Sequence, residues 1–181
     1  MMYYDLIPLG LYFAEDFISA EEESVLLPQL VGHQPRKAQT CDGRNCVQRY
    51  GSRVPYNNHM VSETIPVYLD VLCQRLVECN LVTQKPDSVT VNEYLKGQVI
   101  KPHVDAPAGG PAITVLSLGT PAVMRFRRKN VEQFYDVNLA PRSLIQLREE
   151  LRYQWTHEIL PVAAKRYSLV FRCSKECEEE T

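Results

Sequence analysis

From Ser88 onward the hydrophobic period of the chain is two, in short runs broken by turns, and this pattern constrains the fold more than any other feature. Val89-Thr90-Val91-Asn92-Glu93-Tyr94 alternates, and Lys96-Gly97 supplies a turn. Ala112 to Leu118, Ala122 to Arg127, Gln133 to Val137, Ser143 to Leu147 and Tyr167 to Phe171 are further strand-like runs, punctuated by Gly119-Thr120-Pro121 and Ala140-Pro141-Arg142. Many short strands with close turns predict a sandwich or barrel, so the chain reads as α+β and mainly β, with helices packed outside.

The first half follows a different rule. Ser19 stands three residues ahead of Glu22, a capping-box pattern, and Val25, Leu26 and Leu27 continue a helix to about Leu30, before Gly32 and Pro35 stop it. A second helix is predicted from about Pro66 to Val77, where Val67, Leu69, Val71, Leu72, Leu76 and Val77 give core contacts. Between the two lies a polar stretch, roughly Gln34 to Glu63, without clear periodicity. A stretch of that length inside a compact domain reads as a binding loop or lid. A length of 181 residues predicts a single domain. Within it, 1–87 form an N-terminal extension with helices and a candidate lid, 88–173 the strand core and 174–181 an acidic tail.

No apolar run is long enough to span a membrane, and Met1-Met2-Tyr3-Tyr4-Asp5 lacks the basic start of a signal peptide. Six cysteines, at 41, 46, 73, 79, 173 and 177, show no CxxC spacing. Free thiols and an intracellular setting, cytoplasmic or nuclear, are therefore expected. Cys173 and Cys177 are close enough in sequence to be weighed as part of a zinc site, against the plainer reading of two surface thiols.

The chemistry-bearing residues fall in the strand region. His103-Val104-Asp105 places an imidazole and a carboxylate two residues apart, where a strand would aim both at one centre, and His157 follows fifty-two residues after Asp105. Two imidazoles and one carboxylate form the facial triad of non-haem Fe(II) oxygenases, with coordination positions left open. Arg166 and Arg172 flank Tyr167-Ser168-Leu169-Val170-Phe171, and alternation puts 166, 168, 170 and 172 on one face. Two arginines aimed into a barrel are costly unless an anion meets them, and a dicarboxylate co-substrate would do so.

Asn92-x-Tyr94, His103-x-Asp105, His157 and Arg166-x5-Arg172 together match, in order and spacing, the signature of the AlkB family. The resemblance covers about Ser88 to Arg172. It implies a double-stranded β-helix (jelly-roll) core with the N-terminal helices packed outside, and an Fe(II)- and 2-oxoglutarate-dependent dioxygenase that uses O2. By that resemblance His103, Asp105 and His157 would bind iron. Arg166 would hold the distal carboxylate of 2-oxoglutarate, Arg172 would sit near its other end, and Asn92 and Tyr94 would complete the pocket. The segments Lys85 to Tyr94, Pro102 to Asp105, Ser117-Leu118-Gly119 and Arg152 to His157 resemble the branch of that family that hydroxylates modified wobble uridines in tRNA. That branch carries an RNA-recognition domain before the oxygenase and a methyltransferase after it, and 181 residues have room for neither. The resemblance therefore bears on the chemistry more than on that substrate.

What the resemblance implies for substrate is an alkylated base or modified nucleoside in single-stranded DNA or RNA, including tRNA, with succinate and CO2 released, by a chain without a membrane partner and expected to be monomeric. The alternatives are an oxygenase on the same scaffold acting on protein side chains, or a non-catalytic nucleic-acid-binding module. Candidate substrate contacts are Tyr50, Arg53 and Tyr56 in the lid stretch, the tyrosines as stacking faces for a base, and Arg127 and Arg128 in the basic run Arg125 to Lys129 on an expected hairpin. Trp155 reads as core or pocket wall.

A net charge of −2 seems to speak against a polyanionic partner. Its distribution does not. Residues 1–35 hold six acids and no Lys or Arg, and residues 175–181 hold four Glu and one Lys, while the 139 residues between carry nineteen basic and twelve acidic side chains. The segment with every candidate site residue is thus basic, at +7.

Overall fold

A computed structural model describes residues 3–31, 46–52, 63–128 and 132–173. After a 3-10 turn over Tyr3–Leu9 the elements are β1 (Leu11–Ala14), α1 (Ala20–Val31), β2 (Cys46–Gly51), α2 (Val67–Glu78), β3 (Ser88–Tyr94), β4 (Ile100–His103), β5 (Ile113–Gly119), β6 (Ala122–Arg128), β7 (Phe134–Leu139), β8 (Leu144–Leu147), α3 (Glu149–Gln154), β9 (Trp155–Ile159) and β10 (Arg166–Arg172). The strands make two antiparallel sheets. The major sheet has the order β1-β8-β5-β10-β3-β2 and the minor sheet β4-β9-β6-β7. From β3 onward, consecutive strands alternate between sheets except at the β6–β7 hairpin, which is the jelly-roll path of a double-stranded β-helix.

Both predicted helices form. Ser19 Oγ accepts the Glu22 N–H at 3.1 Å, and Glu22 Oε2 accepts the Ser19 N–H at 2.8 Å, so the capping box closes in both directions. Pro66 caps α2 in extended backbone, and Leu69, Leu72, Cys73 and Leu76 turn inward. The helices cover the outer face of the major sheet. There Ile18, Leu26, Leu30 and the α2 residues pack on Val89, Val91, Leu116, Leu118, Tyr167, Leu169 and Phe171. A second core lies with the inner sheet faces, built from Tyr94, Ile113, Val115, Met124, Phe126, Tyr135, Val137, Trp155, Ile159 and Val170. Each such fully buried side chain contributes roughly 1.5–3 kcal/mol of burial.

The N-terminal extension is more than an outer layer. Leu11 pairs with Leu147 and Cys46 with Glu93, so β1 and β2 continue the major sheet at its two edges. The stretch read as a polar loop therefore contains a strand; within Cys46–Gly51 only Tyr50 is buried, so no alternation of apolar and polar residues shows in the sequence. α3 was not expected either; six residues with only Leu151 and Arg152 buried are too short to show a helical period. Cys73 and Cys79 are free thiols, whereas Cys46 is disulfide-bonded, which corrects the expectation of free thiols throughout. Among the described residues no helix is long and apolar enough to cross a membrane.

Candidate active site

β10 is the central strand of the major sheet, bonded to β3 on one side and β5 on the other. Its two faces invert the usual expectation. Tyr167, Leu169 and Phe171 meet the helix-side core, while Arg166, Ser168 and Arg172 point between the sheets. The register extends this polar stripe sideways. Asn92 and Ser117 stand opposite Ser168, and Tyr94 opposite Arg166. Thr90, Asn92, Ser117, Arg166 and Ser168 are all buried, Arg166 completely at 0% exposure. A polar face turned inward on a central strand costs stability, so it marks a site.

Asn92 Nδ2 donates to Ser168 Oγ at 3.2 Å, and Arg166 Nη2 donates to Ser117 Oγ at 3.2 Å. The Arg166 guanidinium lies 4.8 Å from the centre of the Tyr94 ring. Its Nε and Nη1 have no acceptor among the described residues, and no carboxylate there pairs with it. Burial pushes this guanidinium below its ordinary pKa, opposed by Tyr94. A buried cation with two unused donors fits an anionic group such as the distal carboxylate of 2-oxoglutarate.

The minor sheet supplies the other half. His103 on β4 is the register partner of His157 on β9, and their rings lie 4.4 Å apart at 50°. Phe126 on β6 backs His157 with its ring centre 6.2 Å away. Asp105 joins them, so that one ligand atom from each of His103, Asp105 and His157 lies within 4.8 Å of the others. Asp105 Oδ2 is 3.4 Å from His157 Nε2. The Lys101 carbonyl lies 2.9 Å from His103 Nδ1, which leaves Nε2 as a metal-binding atom when Nδ1 carries the proton.

Strand alternation does not by itself bring Asp105 to the two histidines. β4 ends at His103, and its register is irregular between Ile100 and His103, so strand alternation does not aim Asp105. Two arginines do. Arg172 Nη2 donates to Asp105 Oδ1 at 2.7 Å while its Nη1 donates to Thr90 Oγ1 at 3.2 Å. Arg152, 2% exposed, donates to the main-chain carbonyls of Asp105 and Ala106 at 2.8 and 2.6 Å. Burial would raise the Asp105 carboxyl, but the hydrogen bond with His157 and the charge of Arg172 hold it well below the usual carboxylate range. Burial and the neighbouring His157 push the His103 imidazole down. A neutral imidazole and an ionised carboxylate are the forms that bind a metal.

Of the candidate substrate residues, Tyr50 is corrected: it is 2% exposed in the helix-side core, so its ring offers no open face to a base. Arg53 and Tyr56 lie outside the described residues, as does Cys177. Arg127 and Arg128 lie on β6 itself, leading toward the hairpin. Arg127 pairs with Glu158 at 3.3 Å and Arg128 with Glu150 at 3.1 Å, with side chains 42% and 48% exposed. Trp155 is core, its ring 5.7 Å from Tyr135.

The model of a protein family described as the 2OG-Fe(II) oxygenase superfamily matches residues 10–178. A Xenopus tropicalis protein named tRNA (carboxymethyluridine(34)-5-O)-methyltransferase alkbh8 is 34% identical over 162 residues, which is 86% of this chain and 26% of that protein. The chain thus spans about a quarter of that relative's length. Among solved structures, one titled the structure of OsALKBH1 superposes with a TM-score of 0.67 at 15% identity, covering 91% of this chain and 98% of that one. A Pseudomonas putida prolyl-4-hydroxylase superposes with a TM-score of 0.62 at 15% identity, covering 94% of this chain and 96% of its own.

Proposed function

Because the chain belongs to the 2OG-Fe(II) oxygenase superfamily and is similar to AlkB homologues, we propose that it is a monomeric Fe(II)- and 2-oxoglutarate-dependent dioxygenase acting on alkylated bases or modified nucleosides in nucleic acid. The observation that carries this reading is the pairing of two features across the sandwich. His103, Asp105 and His157 converge from one side, and the buried, unneutralised Arg166 faces in from the other.

In this reading His103, Asp105 and His157 hold Fe(II), and Arg166 grips the far carboxylate of 2-oxoglutarate through its unused N–H groups. Asn92, Ser117 and Ser168 line the space beside Arg166, with the Tyr94 ring beneath the guanidinium. Arg172 keeps Asp105 anionic and fixed in orientation. When bound, Fe(II), 2-oxoglutarate and O2 supply the oxidation itself: the oxo acid leaves as succinate and CO2 while a substrate C–H bond is hydroxylated. The inner sheet faces exclude water, and the rigid strands hold the reacting groups in register. A hydroxylated N-methyl group would depart as formaldehyde, whereas a hydroxylated ring substituent would stay in place.

The nucleic-acid assignment draws on the AlkB-like motifs, on the similarity to a relative named for tRNA modification and on the basic middle of the chain. The barrel alone does not choose a substrate, since a prolyl hydroxylase shares the fold. The test is incubation with Fe(II), 2-oxoglutarate and a pool of modified RNA and DNA, with succinate measured and nucleosides analysed by mass spectrometry. Loss of a modified nucleoside, or gain of its hydroxylated form, is expected with wild type and absent with His103→Ala. Equal succinate from both proteins would sink the enzyme reading. Succinate that rises with peptides and not with nucleic acids would sink the substrate.

A further inference from the structure

Asp105 lies past the end of β4, so sheet pairing no longer constrains it. A metal site nevertheless needs each ligand held to a fraction of an ångström by the groups behind it. The carboxylate has its holder in Arg172, at 2.7 Å. The main chain of the same residue has another. Arg152 reaches from α3 across 47 positions of sequence to donate from Nη1 to the Asp105 carbonyl, and from Nη2 to the Ala106 carbonyl. Its fork fits two successive carbonyls that turn toward it, which a single ammonium could not match.

The base of this clamp is firm. Arg152 continues from Arg148 by a helical hydrogen bond of 3.0 Å, its neighbour Leu151 is 0% exposed, and α3 leads directly into β9, which carries His157. The loop it clamps is closed against the sheet at Gly110, whose φ of +87° is a left-handed value natural to glycine, and a Cβ at Gly109 would sit 3.2 Å from Arg172 and 3.5 Å from Arg152. One segment, α3 to β9, therefore carries His157 and also fixes the backbone that presents Asp105.

We infer that Arg152 is a positioning residue of the metal site: by holding the Asp105 and Ala106 carbonyls it keeps the Asp105 carboxylate aimed at the His103–His157 pair. This rests on the reading of those three residues as metal ligands. It adds an arginine that touches neither metal nor co-substrate, and it predicts a property of the protein with no 2-oxoglutarate bound.

The probe is Co(II), whose visible d–d absorption reports ligand geometry without redox chemistry, titrated into the full chain in the absence of 2-oxoglutarate. Arg152→Lys, which keeps the charge and loses the fork, is expected to weaken Co(II) binding about 10- to 100-fold and to change the d–d spectrum. A purely structural arginine would lower the thermal midpoint and leave the Co(II) affinity and spectrum of the folded protein unchanged, and that result would overturn the inference. Should Arg152→Lys fail to fold, Tyr153→Ala decides. Its ring lies 5.0 Å from the Arg152 guanidinium yet is 47% exposed. Its loss is expected to weaken Co(II) about two- to fivefold through a less fixed guanidinium, and unchanged affinity would again overturn the inference. His103→Ala is the control: Co(II) binding that survives it overturns the metal-site reading itself, whereas its loss there with full retention in Arg152→Lys overturns only the role of Arg152.

Discussion

His103 and His157 face one another as register partners on adjacent antiparallel strands, their ring centres 4.4 Å apart. Two imidazoles this close, with an ionised carboxylate beside them, gain when a divalent cation binds between them, and a ligand that binds only the folded state raises its stability. Wild type loaded with Fe(II) or Co(II) should therefore melt several degrees higher than after chelator treatment, by differential scanning calorimetry. His103→Ala should show no such difference, because His103 is only half-buried and its loss removes a ligand without opening the core. An equal chelator response in both proteins would argue against the triad as the metal site.

Arg166 gives the opposite balance between stability and binding. It is 0% exposed with two nitrogens, Nε and Nη1, lacking acceptors among the described residues, so the empty protein bears the cost of a buried, unneutralised cation. Arg166→Met keeps much of the volume and removes the charge. It should leave the unfolding free energy unchanged or raise it, by an amount on the order of 1–3 kcal/mol. At the same time it should weaken 2-oxoglutarate at least about 100-fold, since a charge-assisted pair of this type contributes roughly 3 kcal/mol. A sharply destabilised variant with intact 2-oxoglutarate affinity would refute the assignment.

The contrast between these residues explains what was legible in advance. His103, His157, Arg166 and Arg172 lie on strands, where alternation alone decides which way a side chain points, and the period-two pattern was visible from Ser88 onward. Both long helices could be read for a similar reason, since the Ser19–Glu22 capping box and the apolar spacing of α2 are local signals. Asp105 lies beside His103 and His157, but strand alternation does not put it there: its orientation comes from Arg152 and Arg172, which are distant in sequence. β2 has only Tyr50 buried, so its sequence shows no alternation, and the burial of Tyr50 comes from long-range packing against the helices. No local pattern carries such information.

Glu22 couples α1 to α2 and should show itself in acid. Its carboxylate accepts hydrogen bonds from Arg75 and from the Ser19 N–H, and together these lower it from 4.5 to about 2. A depressed carboxylate stabilises the fold above its unfolded value and loses that contribution as pH falls through the folded one. Glu22→Gln should thus cost about 0.5–1 kcal/mol in urea denaturation at pH 7, a modest figure because the side chain is 42% exposed. The gap to wild type should close between pH 4.5 and 2. A gap that stays constant over that window would mean that the ionised form is not what stabilises α1.

Arg127 and Arg128 test the substrate class without touching the chemistry. Their partners Glu158 and Glu150 stand at 3.3 and 3.1 Å, but the arginine side chains are 42% and 48% exposed. Ion pairs so exposed are worth about 0–1 kcal/mol, little enough for a phosphate backbone to displace them. Reversing both charges in Arg127→Glu with Arg128→Glu should weaken single-stranded RNA or DNA roughly tenfold or more at low salt. It should also flatten the slope of log affinity against log salt by about one to two, as expected when two phosphate contacts are lost. Succinate formation in the absence of substrate should be spared, since the two arginines pair with Glu158 and Glu150 and not with the residues proposed to hold Fe(II) and 2-oxoglutarate. Unchanged affinity with an unchanged salt slope would remove these arginines from the nucleic-acid interface.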